Sequence, residues 1–278
     1  MERLIKSVLF SAVVLSSLVW LGMLMILAFE TVSFFREISI FEFLTGTVWN
    51  PLFSQKQFGV LPLVTGTVSV AVIAVLTAVI PGFLIAAYLS EFAPESLRSP
   101  LRVLLEVLAG IPTVVYGFLA LFWATPVLHK MVPDLSAFNA FTVGIMTGLM
   151  ILPMLIYFWD TVISSVPAKY RISSLALGAD RIQTLFHAVL PTALPGLLSV
   201  LLMAIARVIG ETMIVVIAGG QQSEFGLHFF SPVQTMTSFI FQASIGDLTP
   251  DSMEYRGSFA VVALLVAATM VFGMLSRH

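Results

Sequence analysis

The feature that most limits the fold of this chain is a series of long segments without a charged side chain. Between Lys56 and Glu91 there are 34 consecutive uncharged residues, and between Asp134 and Asp160 there are 25. A helix needs about 20 apolar residues to cross the ~30 Å hydrocarbon core of a bilayer. Runs of this length therefore predict transmembrane helices rather than the core of a soluble domain.

The composition agrees with this prediction. Charged residues make up 10% of the 278 residues and hydrophobic residues 59%, whereas a soluble domain carries roughly 25% charged residues. The net charge of −2 also argues against a nucleic-acid binder. The chain has no cysteine and four scattered histidines, which excludes disulfides and thiolate catalysis and predicts no metal site.

The apolar runs predict an all-α integral membrane protein with six transmembrane helices in one domain covering 1–278. The runs are continuously apolar and do not alternate as barrel strands do, so helices are the structure that satisfies the backbone in lipid. The predicted spans are 7–29, 61–89, 103–127, 138–159, 192–218 and 257–276, with a cytoplasmic loop at 160–191.

The distribution of basic residues predicts the orientation of these spans. With the N-terminus inside, eight basic residues fall in cytoplasmic segments and four in outside segments, which favours N-in and C-in. The eight are Arg3, Lys6, Arg98, Arg102, Lys169, Arg171, Arg181 and Arg277, and the four are Arg36, Lys56, Lys130 and Arg256.

Small residues and prolines predict how the spans pack. Small side chains at helical spacing let helix backbones approach closely, and they recur here at Gly144 and Gly148 and in the stripe Thr67, Ala71, Ala74 and Ala78. A proline removes a helix hydrogen bond and predicts a kink. Such prolines stand at Pro81, at Pro112 and at Pro153, and a gating role for them and a merely structural one are both open.

Two charged residues interrupt the fifth predicted span. Arg207 and Glu211 are four residues apart, a spacing that places both on one face of a continuous helix. Each costs ~2.5–3.5 kcal/mol at the centre of a bilayer, so both must face protein or water. They are either an internal salt bridge or part of an anion path, because a guanidinium binds oxyanions bidentately. The neighbouring carboxylate of Glu211 can accept a hydrogen bond from an anion that carries a proton. This favours phosphate, because sulfate has no proton to donate.

The polar interval between the fourth and fifth spans predicts two short cytoplasmic helices that meet at Gly178. Ser165 and Pro167 fit a helix start. The loop carries apolar residues, and it is either a docking surface for a partner or an amphipathic connector. These apolar residues are Leu175, Leu177, Ile182 and Leu185.

This interval, LALGADRIQTLFHAVLPTALPG, resembles the "EAA" loop of the permeases of binding-protein-dependent ABC importers. Further stretches resemble the membrane subunits of phosphate importers, and RVIGETM followed by PVQTMTSFI is closer to the PstC type than to the PstA type. The other stretches are FLTGTVWNP, FGVLPLVTGT and EVLAGIPTVVYG. The resemblance runs from about Phe43 to the C-terminus.

The resemblance implies a type I importer permease fold in the cytoplasmic (inner) membrane. It also implies a PstA-like second permease subunit, a PstB-like ATPase dimer that holds ATP and Mg, and a phosphate-binding protein. By the same resemblance Arg207, Glu211 and Glu106 belong to the substrate pathway. The ATPase-coupling loop comprises Leu175, Ala176, Leu177, Gly178 and Ala179, with Arg171 and Arg181 as polar contacts.

The sequence departs from the family loop at one position and leaves other readings open. Ile172 stands where the loop usually has its glutamate, so the resemblance does not carry a glutamate contact with the ATPase over to this chain. No GxxxxGK[ST] motif is present, which predicts that ATP hydrolysis occurs on a partner chain. The alternatives are a permease for molybdate or sulfate, a PstA-type subunit, and a membrane sensor or scaffold that transports nothing.

Overall fold

The computed structural model describes residues 1–51, 56–246 and 248–276, and the side chains of all of these except residues 2–4. Arg277 and the Arg3 side chain, both used in the orientation argument, lie outside this part. The elements in chain order are α1 (Glu2–Phe35), α2 (Ile40–Thr45), β1 (Trp49–Asn50), β2 (Gln57–Phe58), α3 (Leu61–Glu91), α4 (Glu95–Ala109), α5 (Thr113–Leu119), α6 (Thr125–His129), α7 (Ala140–Ser164), α8 (Ala168–Ala176), α9 (Arg181–Thr184), α10 (Leu190–Ile209), α11 (Met213–Ala218), α12 (Met236–Ile245) and α13 (Met253–Leu275).

The helices confirm the prediction of a six-span membrane protein. Among the described residues five helical segments are long and apolar enough to cross a bilayer, and α4 with α5–α6 makes a sixth if the bent pair is one span. The strands among the described residues are β1 and β2, which pair antiparallel with Trp49 opposite Phe58, and an isolated bridge joins Gly220 to Val233. We call the end where α3 and α7 begin the outer end and the opposite one the inner end, following the predicted orientation.

The centre of the bundle is the pair α3 and α7, which run parallel in close contact. A Cβ atom added at Gly144 would lie 2.5 Å from the Cβ of Ile73, and one at Gly148 would lie 2.7 Å from the carbonyl oxygen of Ala74. The predicted role of the small residues is therefore confirmed, since no larger side chain fits at either glycine. At the other face of α7, Trp159 Nε1 donates a 3.0 Å hydrogen bond to the carbonyl oxygen of Leu197 in α10.

The third predicted span, 103–127, is not one straight helix. Helix α4 ends at Ala109, and α5 starts at Thr113 with its direction changed by 83°. Pro112 lies in extended conformation at the bend, where its ring and missing N–H prevent the helix from continuing. Pro81 and Pro153 lie inside helices that continue past them.

The fifth predicted span, 192–218, differs at both ends. Helix α9, a π-helical turn at Leu185–Val189 and α10 form one apolar segment, Arg181–Ile209. The helix then stops at Gly210, and α11 is a separate short helix. The predicted loop 160–191 is correspondingly shorter, because α7 extends to Ser164 and Ser165 is its C-cap rather than the start of α8.

Helix α1 joins the bundle mainly at the outer end. Thr31 Oγ1 donates to the carbonyl oxygen of Phe259 in α13, and Arg256 Nη1 lies 2.9 Å from Glu37 Oε1. Rings from several elements meet edge to face beside these contacts and form an outer aromatic cluster. Its members are Phe34, Phe43, Trp49, Phe58 and Phe239.

Candidate functional site

The candidate substrate site is a break in the helix after α10. Gly210 ends α10, and Glu211 is 7% exposed in the non-helical turn that follows. Glu211 Oε1 accepts a hydrogen bond from the backbone N–H of Ile214 at 3.2 Å. Thr237 Oγ1 donates to the carbonyl oxygen of Glu211 at 2.6 Å. The break thus has backbone and side-chain partners from its own turn and from α12, as non-helical backbone at membrane depth requires.

Arg207 lies one turn before this break and differs from Glu211 in its surroundings. Its side chain is exposed on α10, and within the described residues it makes no hydrogen bond or ion pair. The prediction that Arg207 and Glu211 share a helix face is wrong, because α10 ends between them at Ile209. The alternative of an internal salt bridge between them is likewise not what the structure shows.

Two cavities border the segment 234–237, which contacts the break. A shallow cavity of about 390 Å³ is lined by Gly210, Thr212 and Thr237. A larger cavity of about 720 Å³ lies at the outer end, where Gln234 and Gln242 are hydrogen bonded to each other at 2.6 Å. Polar amide and hydroxyl groups therefore extend from the outer surface to the break in α10.

The third predicted pathway residue, Glu106, lies on α4 before the bend. It is exposed and has no ion pair or hydrogen bond among the described residues. No residue of α4 is buried within the chain. The structure therefore does not bring Glu106 into contact with Arg207 or Glu211.

The predicted coupling loop is a tight turn between α8 and α9. Gly178 has a φ of +90°, and its N–H bonds to the carbonyl of Leu175 while that of Ala179 bonds to Ser174. This is a Schellman motif, in which glycine takes the left-handed position after the helix. Leu177 precedes it and is 89% exposed. The apolar residues predicted for docking thus lie at the surface around Gly178, except for Leu185, which is buried.

A capping box follows the glycine at once. Asp180 accepts a 2.7 Å hydrogen bond from the N–H of Gln183, and the Gln183 side chain accepts from the N–H of Asp180. The spacing of an aspartate and a glutamine three residues later is a sequence signal for this cap. The two motifs in series fix the turn, and of the two only Gly178 was predicted from the sequence.

The two loop arginines differ in their contacts. Arg181 is exposed, whereas Arg171 binds within its own chain. Arg171 Nη2 lies 2.5 Å from Glu91 Oε1 at the end of α3, and Nη1 and Nη2 donate to the carbonyls of Val166 and Ile163 at 2.6 and 2.9 Å. The contact of Arg171 with the ATPase stays a prediction, and within this chain its guanidinium joins α8 to the ends of α3 and α7.

An ion pair near the same end, between a buried carboxylate and a partly exposed arginine, was not predicted from the sequence. Asp160 in α7 is 1% exposed, and Arg102 in α4 donates to its Oδ2 through Nε and Nη2 at 2.7 and 2.6 Å. The sequence places these residues 58 positions apart, and Asp160 looked only like the boundary of an apolar run. The available signal was that Asp160 is the one charged residue within α7, four residues before its end.

Comparison with known proteins places the chain in a family. Residues 82–277 match the family of the binding-protein-dependent transport system inner membrane component. The chain belongs to this family. It is 30% identical to the probable ABC transporter permease protein YqgH of Bacillus subtilis, over 87% of this chain and 78% of that protein.

Other relatives carry phosphate transport in their names. The phosphate transport system permease protein PstC of Mesorhizobium japonicum is 30% identical over 85% of this chain and 79% of its own length. PstA of Mycobacterium leprae is 26% identical over 87% of this chain and 78% of its own length.

A solved structure supports the fold. An inward-facing form of the MetNI methionine ABC transporter aligns with a TM-score of 0.58 and 16% identity, over 76% of this chain and 90% of that chain. The predicted fold of a type I importer permease, in a multi-pass integral membrane protein, is thereby confirmed.

Proposed function

We propose that this chain is the PstC-type membrane subunit of an ATP-driven importer of inorganic phosphate, with Arg207 in the path of the anion. The observation that carries the proposal is the exposed Arg207 on a membrane-spanning helix, one turn before the break at Gly210. The PstC proteins among the relatives provide the substrate class.

An exposed guanidinium within a membrane span requires an explanation. Placing an arginine at the bilayer centre costs ~2.5–3.5 kcal/mol on the insertion scale, so Arg207 faces water or another subunit rather than lipid. Its five N–H donors bind the oxygens of a tetrahedral anion in pairs. A water-filled path between this chain and a second permease subunit satisfies both requirements.

Glu211 adds selectivity to this path. Its Oε1 accepts a hydrogen bond from the N–H of Ile214, and its neighbours Gly210 and Thr212 line the smaller cavity together with Thr237. Near neutral pH phosphate carries a proton that it donates to a carboxylate, whereas sulfate has none. The cavity hydroxyls supply further donors to the anion as it passes the break.

Energy for transport comes from a partner through the coupling loop. Leu177 and Ile182 are exposed beside the fixed turn at Gly178. They form an apolar surface of this chain on which the ATPase docks. The assembly contains a PstA-like permease, a PstB-like ATPase dimer that binds ATP and Mg, and a phosphate-binding protein that delivers the anion outside. This chain itself is a transport subunit and hydrolyses no ATP.

Uptake of radiolabelled phosphate into vesicles containing the purified complex tests the proposal. Uptake is expected to require ATP inside the vesicle and the binding protein outside. An excess of unlabelled sulfate or molybdate is expected to leave it unchanged. Transport of sulfate or molybdate in preference to phosphate would assign another oxyanion, and an assembled complex that moves none of the three would contradict a transport role for it.

A further inference from the structure

The inner ends of α3, α4, α7 and α8 are joined by charged and hydroxyl side chains that the proposed anion path does not use. The most buried is Asp160, whose carboxylate is paired with Arg102. Arg98, one turn earlier on α4, donates to the carbonyl oxygens of Leu89 and Ser90 at 2.8 and 2.7 Å. Helix α4 is therefore fixed at two successive turns to the ends of α7 and α3.

Helix α8 is fixed to the same two helix ends by Arg171. Its guanidinium bonds to the Glu91 carboxylate and to the carbonyl of Ile163. Glu91 and Arg171 have side chains 14% and 23% exposed, so solvent screens this pair less than a surface pair. A displacement of α8 thus acts directly on the last turns of α3 and α7.

Two serines lie between the ion pairs. Ser164 Oγ is 3.1 Å from Ser90 Oγ and 3.4 Å from Asp160 Oδ1. Ser90 in turn precedes Glu91 in α3 and lies 3.5 Å from its Oε1. The side chains from Arg171 to Arg102 therefore form one continuous polar network that joins four helices, α8, α3, α7 and α4.

Helix α4 leads from this network to the break in α10. Beyond the 83° bend α5 packs against α11, where a Cβ atom at Gly117 would lie 2.8 Å from Ile217 Cδ1 and 3.3 Å from the carbonyl oxygen of Met213. Met213 begins the helix that follows Glu211. The close contact of α5 with α11 therefore gives a change in the position of α4 a route to the turn at Glu211.

We propose that Asp160 and Arg102 are positioning residues for transport, which link the ATPase-coupling helix α8 to the anion path through α4 and α5. The inference rests on the proposed function for the identity of the docked ATPase and of the transported ion. The network provides a physical connection, and only a measured coupling between its ends establishes transmission.

The test replaces this ion pair with apolar residues and follows α5. Arg102→Met with Asp160→Leu removes both charges together, so that no charge is left unpaired at the buried position 160, whereas removing one partner alone would be strongly destabilising. Because the chain has no native cysteine, Val115→Cys on α5 provides a single labelling site. Its labelling rate in the full complex is expected to change when ATP and Mg are added.

In the double variant we expect the complex to assemble, the ATP-dependent change in labelling to disappear, and phosphate uptake per ATP hydrolysed to fall by about 2- to 30-fold. Glu91→Gln, which weakens the contact with Arg171, is expected to reduce the labelling change in the same way. The matched control is Glu37→Gln, which removes one carboxylate from Arg256 at the outer end and is expected to retain both readouts.

A double variant that assembles and keeps the parent labelling change and coupling ratio would overturn the proposal. A parent complex in which ATP leaves the labelling of Val115→Cys unaltered would do so as well. If the double variant fails to assemble, Glu91→Gln decides by the same two readouts. Failure of the parent vesicles to import phosphate contradicts the proposed substrate alone, because the labelling change does not depend on which ion is carried.

Discussion

Arg207 and Glu211 are four residues apart in the sequence, yet they belong to different structural elements and make no contact with each other that would form an ion pair. Arg207 is exposed on α10, whereas Glu211 is buried in the turn after it and accepts a hydrogen bond from Ile214. The two residues therefore have separable roles. Single substitutions can distinguish them.

Arg207→Lys keeps the positive charge and removes the paired N–H geometry. Loss of one hydrogen bond to a charged group costs about 1.5–3 kcal/mol, so we expect kcat/KM for phosphate uptake to fall roughly 10- to 150-fold. Assembly should persist, because Arg207 has no partner among the described residues. The matched control is Arg36→Lys at an exposed outer position. Normal uptake by Arg207→Lys would remove Arg207 from the anion path.

Glu211→Gln retains an oxygen that accepts from the N–H of Ile214 and removes the negative charge. We expect the complex to assemble and sulfate to become a competitor of phosphate uptake, because an amide donates a hydrogen bond to sulfate.

Glu211→Ala loses the acceptor as well and should lower the free energy of unfolding by about 1 kcal/mol. Competition assays and thermal unfolding measure the two effects, with Glu42→Gln on the exposed face of α2 as control. If the Glu211→Gln complex assembles and sulfate still does not compete with phosphate uptake, then Glu211 only caps the helix that follows it and has no role in selectivity.

Gly178→Ala tests the conformation of the coupling loop. A Cβ atom there meets no atom within 4 Å, but the φ of +90° is one that side chains oppose. We expect a backbone penalty of about 1–2 kcal/mol in the turn, less ATPase recovered with the permease, and lower uptake. Gly22→Ala is the matched control, since its Cβ is equally free and no positive φ applies. Equal ATPase recovery and uptake from both variants would contradict a docking role for the turn.

Single cysteines test the orientation, which remains a prediction. Ala137→Cys before α7 and Lys169→Cys in α8 are both at exposed positions. With the N-terminus inside, an impermeant thiol reagent added to intact cells should label Ala137→Cys and leave Lys169→Cys unlabelled until the cells are opened. Labelling of Lys169→Cys but not of Ala137→Cys in intact cells would show that the orientation is the reverse of the predicted one.

The parts of the fold that the sequence predicted depend on local patterns. Length and apolarity define a span within one segment, and the glycines at 144 and 148 predict close packing wherever a partner helix lies. The turn at Gly178 could be predicted because few residues other than glycine tolerate a positive φ. Each of these signals is contained in about 30 contiguous residues or fewer, which is why the six spans and the coupling loop could be predicted.

The parts that were missed depend on how distant segments meet. Nothing within 192–218 marks Gly210 as a helix end, because a single glycine in an apolar run is compatible with a continuing helix. The pair of Asp160 and Arg102 exists only because α4 packs on α7. The same holds for Arg171, whose partner Glu91 lies 80 residues earlier.

The one-ended attachment of α1 explains a property of its sequence. Its contacts gather near Thr31 and Phe34, while residues 7–21 are exposed throughout. That stretch is about 22 Å long at 1.5 Å per residue, and no other helix in the described part of the same chain packs against either side of it. No contact within this described part selects the side chains there, so we expect apolar substitutions between residues 7 and 21 to leave the packing of this chain unchanged. Substitutions at Gly144 or Gly148, where an added Cβ atom would meet α3, are expected to do the opposite.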